Sequence, residues 1–234
     1  MRSTPFHLNS AVAWLFITGS ACFVIGSVQV YASAVGGVPD ALTYFIGSIF
    51  FTSASFLQLL QAQTPASTGV TSAAQTKPVR LTAIAWRPHD RAWWAAITQF
   101  PGTLCFNVST FFAVWVNASA SQKNRYVWRP DFYGSTLFLI SSAFALLALA
   151  QLAVGERRDP RRIGWLNMIG SILFMASAIA SYVLPDDQVI NVRISVTGTL
   201  LGAACFLVGA ALMLPAWRAA VLRADARPQE APAP

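Results

Sequence analysis

Ionisable side chains are scarce in this chain: Asp, Glu, Lys and Arg make up 11% of its 234 residues, against about 25% in soluble domains. Such a deficit excludes an ordinary water-soluble fold. Catalytic chemistry is equally thin. The histidines, His7 and His89, are only two, and no H-E-x-x-H, P-loop or G-x-S-x-G pattern occurs. Cys22, Cys105 and Cys205 are odd in number and have no C-x-x-C spacing, which leaves no basis for a disulfide framework or a zinc site. We therefore expect no catalytic residue, no metal and no cofactor, and the chain reads as not an enzyme.

Apolar residues are abundant, 55% of the chain, and gather into six charge-free runs at 10–31, 41–60, 92–116, 132–154, 164–184 and 194–217. Each is close to the roughly 20 residues a helix needs to cross a hydrocarbon core. The sequence predicts an all-α polytopic membrane protein with six transmembrane helices. A cleaved signal peptide competes for the first run, because Arg2 precedes it and Ala32-Ser33-Ala34 resembles a cleavage site. That run exceeds the about 7–15 residues of a signal core, so a retained helix is expected.

The net charge of +7 would point to nucleic acid in a soluble protein, but here the basic residues report topology and no nucleic-acid partner is expected. With the N-terminus inside, Arg2, Lys77, Arg80, Arg87, Arg91, Arg157, Arg158, Arg161, Arg162, Arg218, Arg223 and Arg227 fall on the cytoplasmic side. Lys123, Arg125, Arg129 and Arg193 fall outside. Both termini are thus expected in the cytoplasm and the protein in the inner membrane.

A short pattern recurs in the runs. Gly19-Ser20 is followed by Phe23, Gly47-Ser48 by Phe51, Gly102-Thr103 by Phe106, Gly134-Ser135 by Phe138 and Gly170-Ser171 by Phe174, while the last run has Gly198-Thr199 and then Gly202. Gly26, Ala54, Ser109, Ser141, Ser177 and Cys205 stand seven residues after those glycines. Positions 0, 4 and 7 share one helical face. In lipid no hydrophobic force drives helices together, so small residues that permit close van der Waals contact mark the packing faces. Gly19, Gly26, Gly47, Gly102, Gly134, Gly170 and Gly198 are the expected packing residues.

The glycine spacings of 28, 32 and 28 residues pair the helices as three tandem antiparallel hairpins with a pseudo-threefold internal repeat. Their boundaries are 1–61, 92–155 and 156–217, with a mobile cytoplasmic loop at 62–91 and a disordered tail at 218–234. Counted from the outer turn, Gly26 comes level with Gly47 and Gly19 with Ala54. A two-helix unit with Gly-Ser-x-x-Phe on each helix, as in FITGSACF with FIGSIFF or MIGSILF, resembles the YrhK-like membrane domain of uncharacterised bacterial proteins. That resemblance implies a bacterial inner-membrane location and carries over no catalytic residue.

No Asp, Glu, Lys, Arg or His lies inside any run, which argues against a proton relay. Asn107 and Asn167 are the deepest polar residues, expected to hydrogen-bond between helices. Trp128, Arg129 and Asp131, in a Trp-Arg-Pro-Asp sequence before an expected helix start, are candidates for an outer interface site. On the inner side, the segment VRLTAIAW and the cluster ERRDPRRIG could meet the membrane surface or anionic lipid. The expected role is noncatalytic, through association with the lipid bilayer, anionic lipid or a membrane-protein partner at the cytoplasmic face. The alternative is a channel or transporter for a small neutral or weakly polar solute. A polar cavity lined by Asn107, Asn167 and serine hydroxyls would favour transport; a dry, filled centre would favour a scaffold.

Overall fold

A computed structural model describes residues 2–3, 5–64, 79–115, 118–150 and 158–225, with the side chains of residues 2–3, 5–6, 79–80, 158–159 and 217–225 left aside. The helices are α1 (Pro5–Gly26), α2 (Gln29–Val35), α3 (Gly37–Gln63), α4 (Arg91–Ala113), α5 (Ala120–Lys123), α6 (Arg129–Leu149), α7 (Arg158–Ala180) and α8 (Val192–Asp225). Two short strands, β1 (Arg2–Ser3) and β2 (Val79–Arg80), pair antiparallel. They mark one end of the molecule, called here the strand end. The remainder of the 62–91 loop, residues 65–78, and the tail after residue 225 lie outside the described residues.

Five helical segments are long and apolar enough to cross a membrane: His7–Gly26, Gly37–Gln63, Ala120–Leu149, Pro160–Ala180 and Val192–Ala216. The remaining long helix, α4, has 23 residues but is more polar, because Thr98, Gln99, Pro101, Thr103 and Asn107 interrupt its apolar sequence. Packing runs α1 on α3, α3 on α4, α4 on α6, α6 on α7, α7 on α8 and α8 back on α1. The long helices therefore close into a ring in chain order.

Helix starts follow local chemistry. Asp90 accepts hydrogen bonds from the backbone N–H of Ala92 (2.9 Å) and Trp93 (3.3 Å), capping α4. Ser119 and Gln122 form a reciprocal capping box at α5. Gly36, at φ +84°, separates α2 from α3 in a conformation that L side chains avoid.

One sequence expectation changes at Trp128-Arg129-Pro130. α6 does begin at Arg129, with Pro130 and Asp131 in its first turn, but a π-helical turn at Asn124–Trp128 joins it to α5, so helix continues over Ala120–Leu149. Pro130 lacks an N–H and crowds the preceding turn, and the wider π turn accommodates it. Asp131 consequently has no free helix N-terminus to complement.

The described end of the 62–91 loop is tied to neighbouring helices by hydrogen bonds. Thr82 donates its backbone N–H to Thr64 Oγ1 (3.0 Å), and the Arg87 guanidinium donates to Ala62 O (2.7 Å) while pairing with Asp90 (3.2 Å). The carbonyls at a helix C-terminus lack intrahelical partners, and Arg87 supplies one for α3. Arg91 does the same for α6 by donating to Leu147 O (3.1 Å). Within VRLTAIAW, Ile84 and Trp86 are strongly exposed.

Candidate functional site

Glycine contacts set the register of the bundle. A Cβ built on Gly19 would meet Phe51 at 2.8 Å and Gly47 O at 2.9 Å; one built on Gly47 would meet Phe23 at 2.9 Å and Gly19 O at 3.0 Å. Gly102 and Gly134 repeat the arrangement against Phe138 and Phe106, and Gly170 and Gly202 repeat it against Phe206 and Phe174. Each phenylalanine fills the hollow left by the facing glycine. Gly47 therefore opposes Gly19, and the expected alignment of Gly26 with Gly47 is wrong: Gly26 lies against the Tyr44 ring, at 2.7 Å from a built Cβ. Residue counting from the turn fails because α2 takes up chain outside the antiparallel pair.

The last helix needs a similar correction. Its contact glycine is Gly202, followed by Ala203 and by Phe206, whereas Gly198 lies against Leu173 O and Ser177. The contact glycines are thus separated by 28, 32 and 32 residues. Fixed offsets from them can be compared across the helices.

Offset +4 gives Phe23, Phe51, Phe106, Phe138, Phe174 and Phe206, all buried and in one cluster. Phe51, Phe138 and Phe206 form a triangle with ring centroids 5.7–6.3 Å apart. Phe174 lies 6.0 Å from Phe23 and 5.9 Å from Phe106 in a second layer. Rings within a glycine-matched pair are 5.1–5.6 Å apart. The ring of helices is closed across its middle by aromatic side chains.

Offset +1 gives Ser20, Ser48, Thr103, Ser135, Ser171 and Ala203, none more than 1% exposed. Their partners come from offset +8 on the neighbouring helix. Ser48 bonds Thr110 at 3.0 Å between α3 and α4, and Ser142 bonds Ser171 at 2.8 Å between α6 and α7. Corresponding offsets pair Ser135 with Ala178 and Ser20 with Ala210, where the methyl group offers no acceptor. That accounts for the hydroxyls of Ser135 and Ser20 being buried without a hydrogen-bond partner. Ser55 is also unpartnered, because Thr103 at the corresponding offset donates to its own helix at Phe100 O (2.7 Å).

A pair of substitutions separates these cases. Ser142→Ala is expected to lower stability in detergent by about 1 kcal/mol, since it removes a buried 2.8 Å bond and leaves Ser171 only its longer one to Phe138 O (3.3 Å). Ser135→Ala removes a hydroxyl that has no partner, and should be neutral or stabilising by up to about 1 kcal/mol. Thermal unfolding followed by circular dichroism reads both. Equal losses at the two positions would contradict the assignment.

Below the phenylalanine triangle, toward the strand end, lies an axial cavity of about 50 Å³. Phe51, Phe138 and Phe206 are its floor, and every long helix contributes to its wall. Offset −3 supplies Phe16, Gln99 and Asn167; offset +11 supplies Gln58, Ala145 and Met213. Ser141 joins its wall and donates to Ala95 O (2.8 Å) and to Gln99 Oε1 (3.3 Å). No charged side chain lines this cavity.

Of the polar residues singled out from sequence, Asn167 lines the cavity and Asn107 does not. Asn107 faces α3 and accepts from Thr52 Oγ1 (3.1 Å). Trp128 is turned onto the α7–α8 connection: its Nε1 donates to Ala178 O (2.8 Å), and its ring stacks on Phe132 and meets Tyr182 edge-on. Arg129 and Asp131 are not drawn into that cluster, and neither holds a hydrogen bond or ion pair among the described residues. Sequence reasoning missed Asn124, whose amide donates to Val183 O (2.6 Å) and accepts from Val183 N (3.0 Å), tying the two turns together. Gln58 and Gln99, which the sequence offers as polar candidates for a neutral pathway along with Gln29 and Gln151, do line the cavity. Their signal was available, because Gln99 and Asn167 both stand three residues before a contact glycine.

At the end opposite the strands, Phe112, Trp115 and Tyr126 line an open groove, with the Arg125 guanidinium 5.4 Å from the Tyr126 ring centroid. Lys123 pairs with Asp187 at 3.6 Å. Among the described residues no group of His, Cys, Asp or Glu has the arrangement of a metal site. No family model matches the chain, and neither a curated protein nor a solved structure matches it significantly.

Proposed function

We propose that this chain is a noncatalytic, multi-pass protein of the bacterial inner membrane, built as three tandem antiparallel hairpins about a pseudo-threefold axis. All six long helices cross the bilayer in this reading, with the strand end and both termini in the cytoplasm. Burying α4 between α3 and α6 removes its polar face from lipid, which makes a more polar span tolerable. Threefold recurrence of the glycine–phenylalanine contact supports an origin in a repeated two-helix unit of YrhK-like type.

The protein acts through association with lipid or another membrane protein. The observation that supports this is the phenylalanine cluster: among the described residues, packed aromatic side chains occupy the middle of the ring axis. Arg161 and Arg162 are exposed near the start of α7 and suit anionic headgroups at about 1 kcal/mol per basic residue. Arg87 and Arg91 are committed to helix carbonyls. The alternative, a channel or transporter for a small neutral solute, draws support from the amides of the axial cavity, but such a solute would have to displace the phenylalanine triangle.

Crosslinking in native membranes, followed by identification of neighbours and co-purifying lipids, tests the proposal. A reproducible protein neighbour, or selective anionic lipid lost on Arg161→Gln with Arg162→Gln, is the expected result. No such neighbour or lipid, together with solute flux in reconstituted vesicles, would overturn it.

A further inference from the structure

The axial cavity is not what packing alone would produce. Positions at offset −3 and +11 point to the same space, and a bundle held only by van der Waals contact would fill all of them with apolar side chains. Phe16 and Met213 do so. Gln99, Asn167 and Gln58 place three amides there instead, one from each hairpin, and only Gln99 has a partner among the described residues, the Ser141 hydroxyl. Asn167 and Gln58 are partly buried, and their amides line the recess without a protein partner among the described residues. Whatever occupies the recess is therefore placed to take up their hydrogen bonds. A volume of about 50 Å³ exceeds the about 30 Å³ that one water occupies in the liquid, and the space is polar enough to hold it.

We infer that the axial cavity is a binding site for one small uncharged molecule with both hydrogen-bond donors and acceptors, of about the size of formamide, replaced by water when it is absent. The size limit follows from the cavity volume, which holds the equivalent of about two waters. Neutrality follows from the wall, which offers no charge to pair an ion. Amides donate and accept in one plane, so Asn167 and Gln58 suit a ligand that does the same. Binding here does not depend on passage: the phenylalanine floor makes the site a closed-ended recess reached from the strand end. The inference goes beyond the association role proposed above and stands or falls separately from it.

The test uses the full chain in detergent, with the side-chain amide signals of Asn167 and Gln99 followed by NMR during titration with formamide. Saturable shifts are expected in the native protein, together with their loss in Ala145→Met, which fills the recess with the residue found at the corresponding position 213. Asn167→Leu should fold and should also abolish saturation at Gln99. Shifts that rise linearly without saturating, or saturation unaffected by Ala145→Met, would overturn the site. Formamide flux above that of protein-free vesicles, with no reproducible neighbour or lipid, would overturn the association role while leaving the site intact, so the two failures are distinguishable.

Discussion

Gly134→Leu is expected to be the most damaging single substitution on any helix face. A Cβ at this position lies 3.0 Å from Gly102 O and 3.0 Å from the Phe106 ring, and the carbonyl belongs to a helix backbone that cannot move alone. A leucine forces α4 and α6 apart and lifts Phe106 out of the aromatic cluster. Overpacking of this kind costs about 1–3 kcal/mol where side chains can adjust, and more where backbone must move. In a bilayer the loss is not offset by any hydrophobic drive to reassociate. We expect a loss of about 3 kcal/mol or more. Ile140→Leu, on the exposed side of the same helix, should change stability by less than about 0.5 kcal/mol. Thermal unfolding in detergent compares the two; similar effects would mean that Gly134 does not face another helix.

Phe51→Ala should rank close behind. This ring lies 5.5 Å from Phe16, 5.6 Å from Phe23, 6.3 Å from Phe138 and 6.1 Å from Phe206, and so touches both aromatic layers and the cavity wall. Truncation removes those contacts and leaves a void that the surrounding helices, pinned by glycine contacts, cannot close. Large-to-small changes of this type cost about 3–5 kcal/mol. Phe56→Ala, only five residues away but half-exposed on the outer face, should cost about 1 kcal/mol or less by comparison. Comparable melting temperatures for the two variants would remove the phenylalanine cluster from its central place.

The pattern of helices and their contact faces was legible because membrane helices are apolar throughout, and a recurring small residue then stands out against that background. The partners of those faces were harder to read. Gly26 and Gly47 align if residues are counted back from the turn, but α2 breaks the count, and a chain segment leaving a hairpin has no signature in glycine spacing. On the last helix, Gly198-Thr199 copied the dipeptide of the repeat more closely than Gly202-Ala203, yet Phe206 stands four residues beyond Gly202. The phenylalanine was the better guide because it is the group that fills the facing hollow.

The candidate site was less visible still. Asn167 and Asn107 look equivalent in sequence, each deep in an apolar run, but one stands at offset −3 and faces the axis while the other stands at offset +5 and faces a neighbouring helix. Depth in the membrane can be read from sequence position; direction depends on the register of the contact glycines, which had to be known first. At Trp128-Arg129-Pro130 the expected helix start is present, but the π turn that joins it to the preceding helix has no signal in the local sequence.

The account depends on one contact geometry repeated three times around a closed ring, and paired cysteine substitutions in a cysteine-free background test it most directly. The pairs are Ser55→Cys with Thr103→Cys, Ser142→Cys with Ser171→Cys, and Ala210→Cys with Ser20→Cys, which occupy corresponding offsets at the three junctions between hairpins. Mild oxidation in native membranes should produce an intramolecular disulfide in all three, including the last, which joins the final helix to the first. Crosslinking at the Ser142 and Ser171 pair alone, with none between positions 20 and 210, would show that the ring is not closed and that the threefold arrangement is wrong.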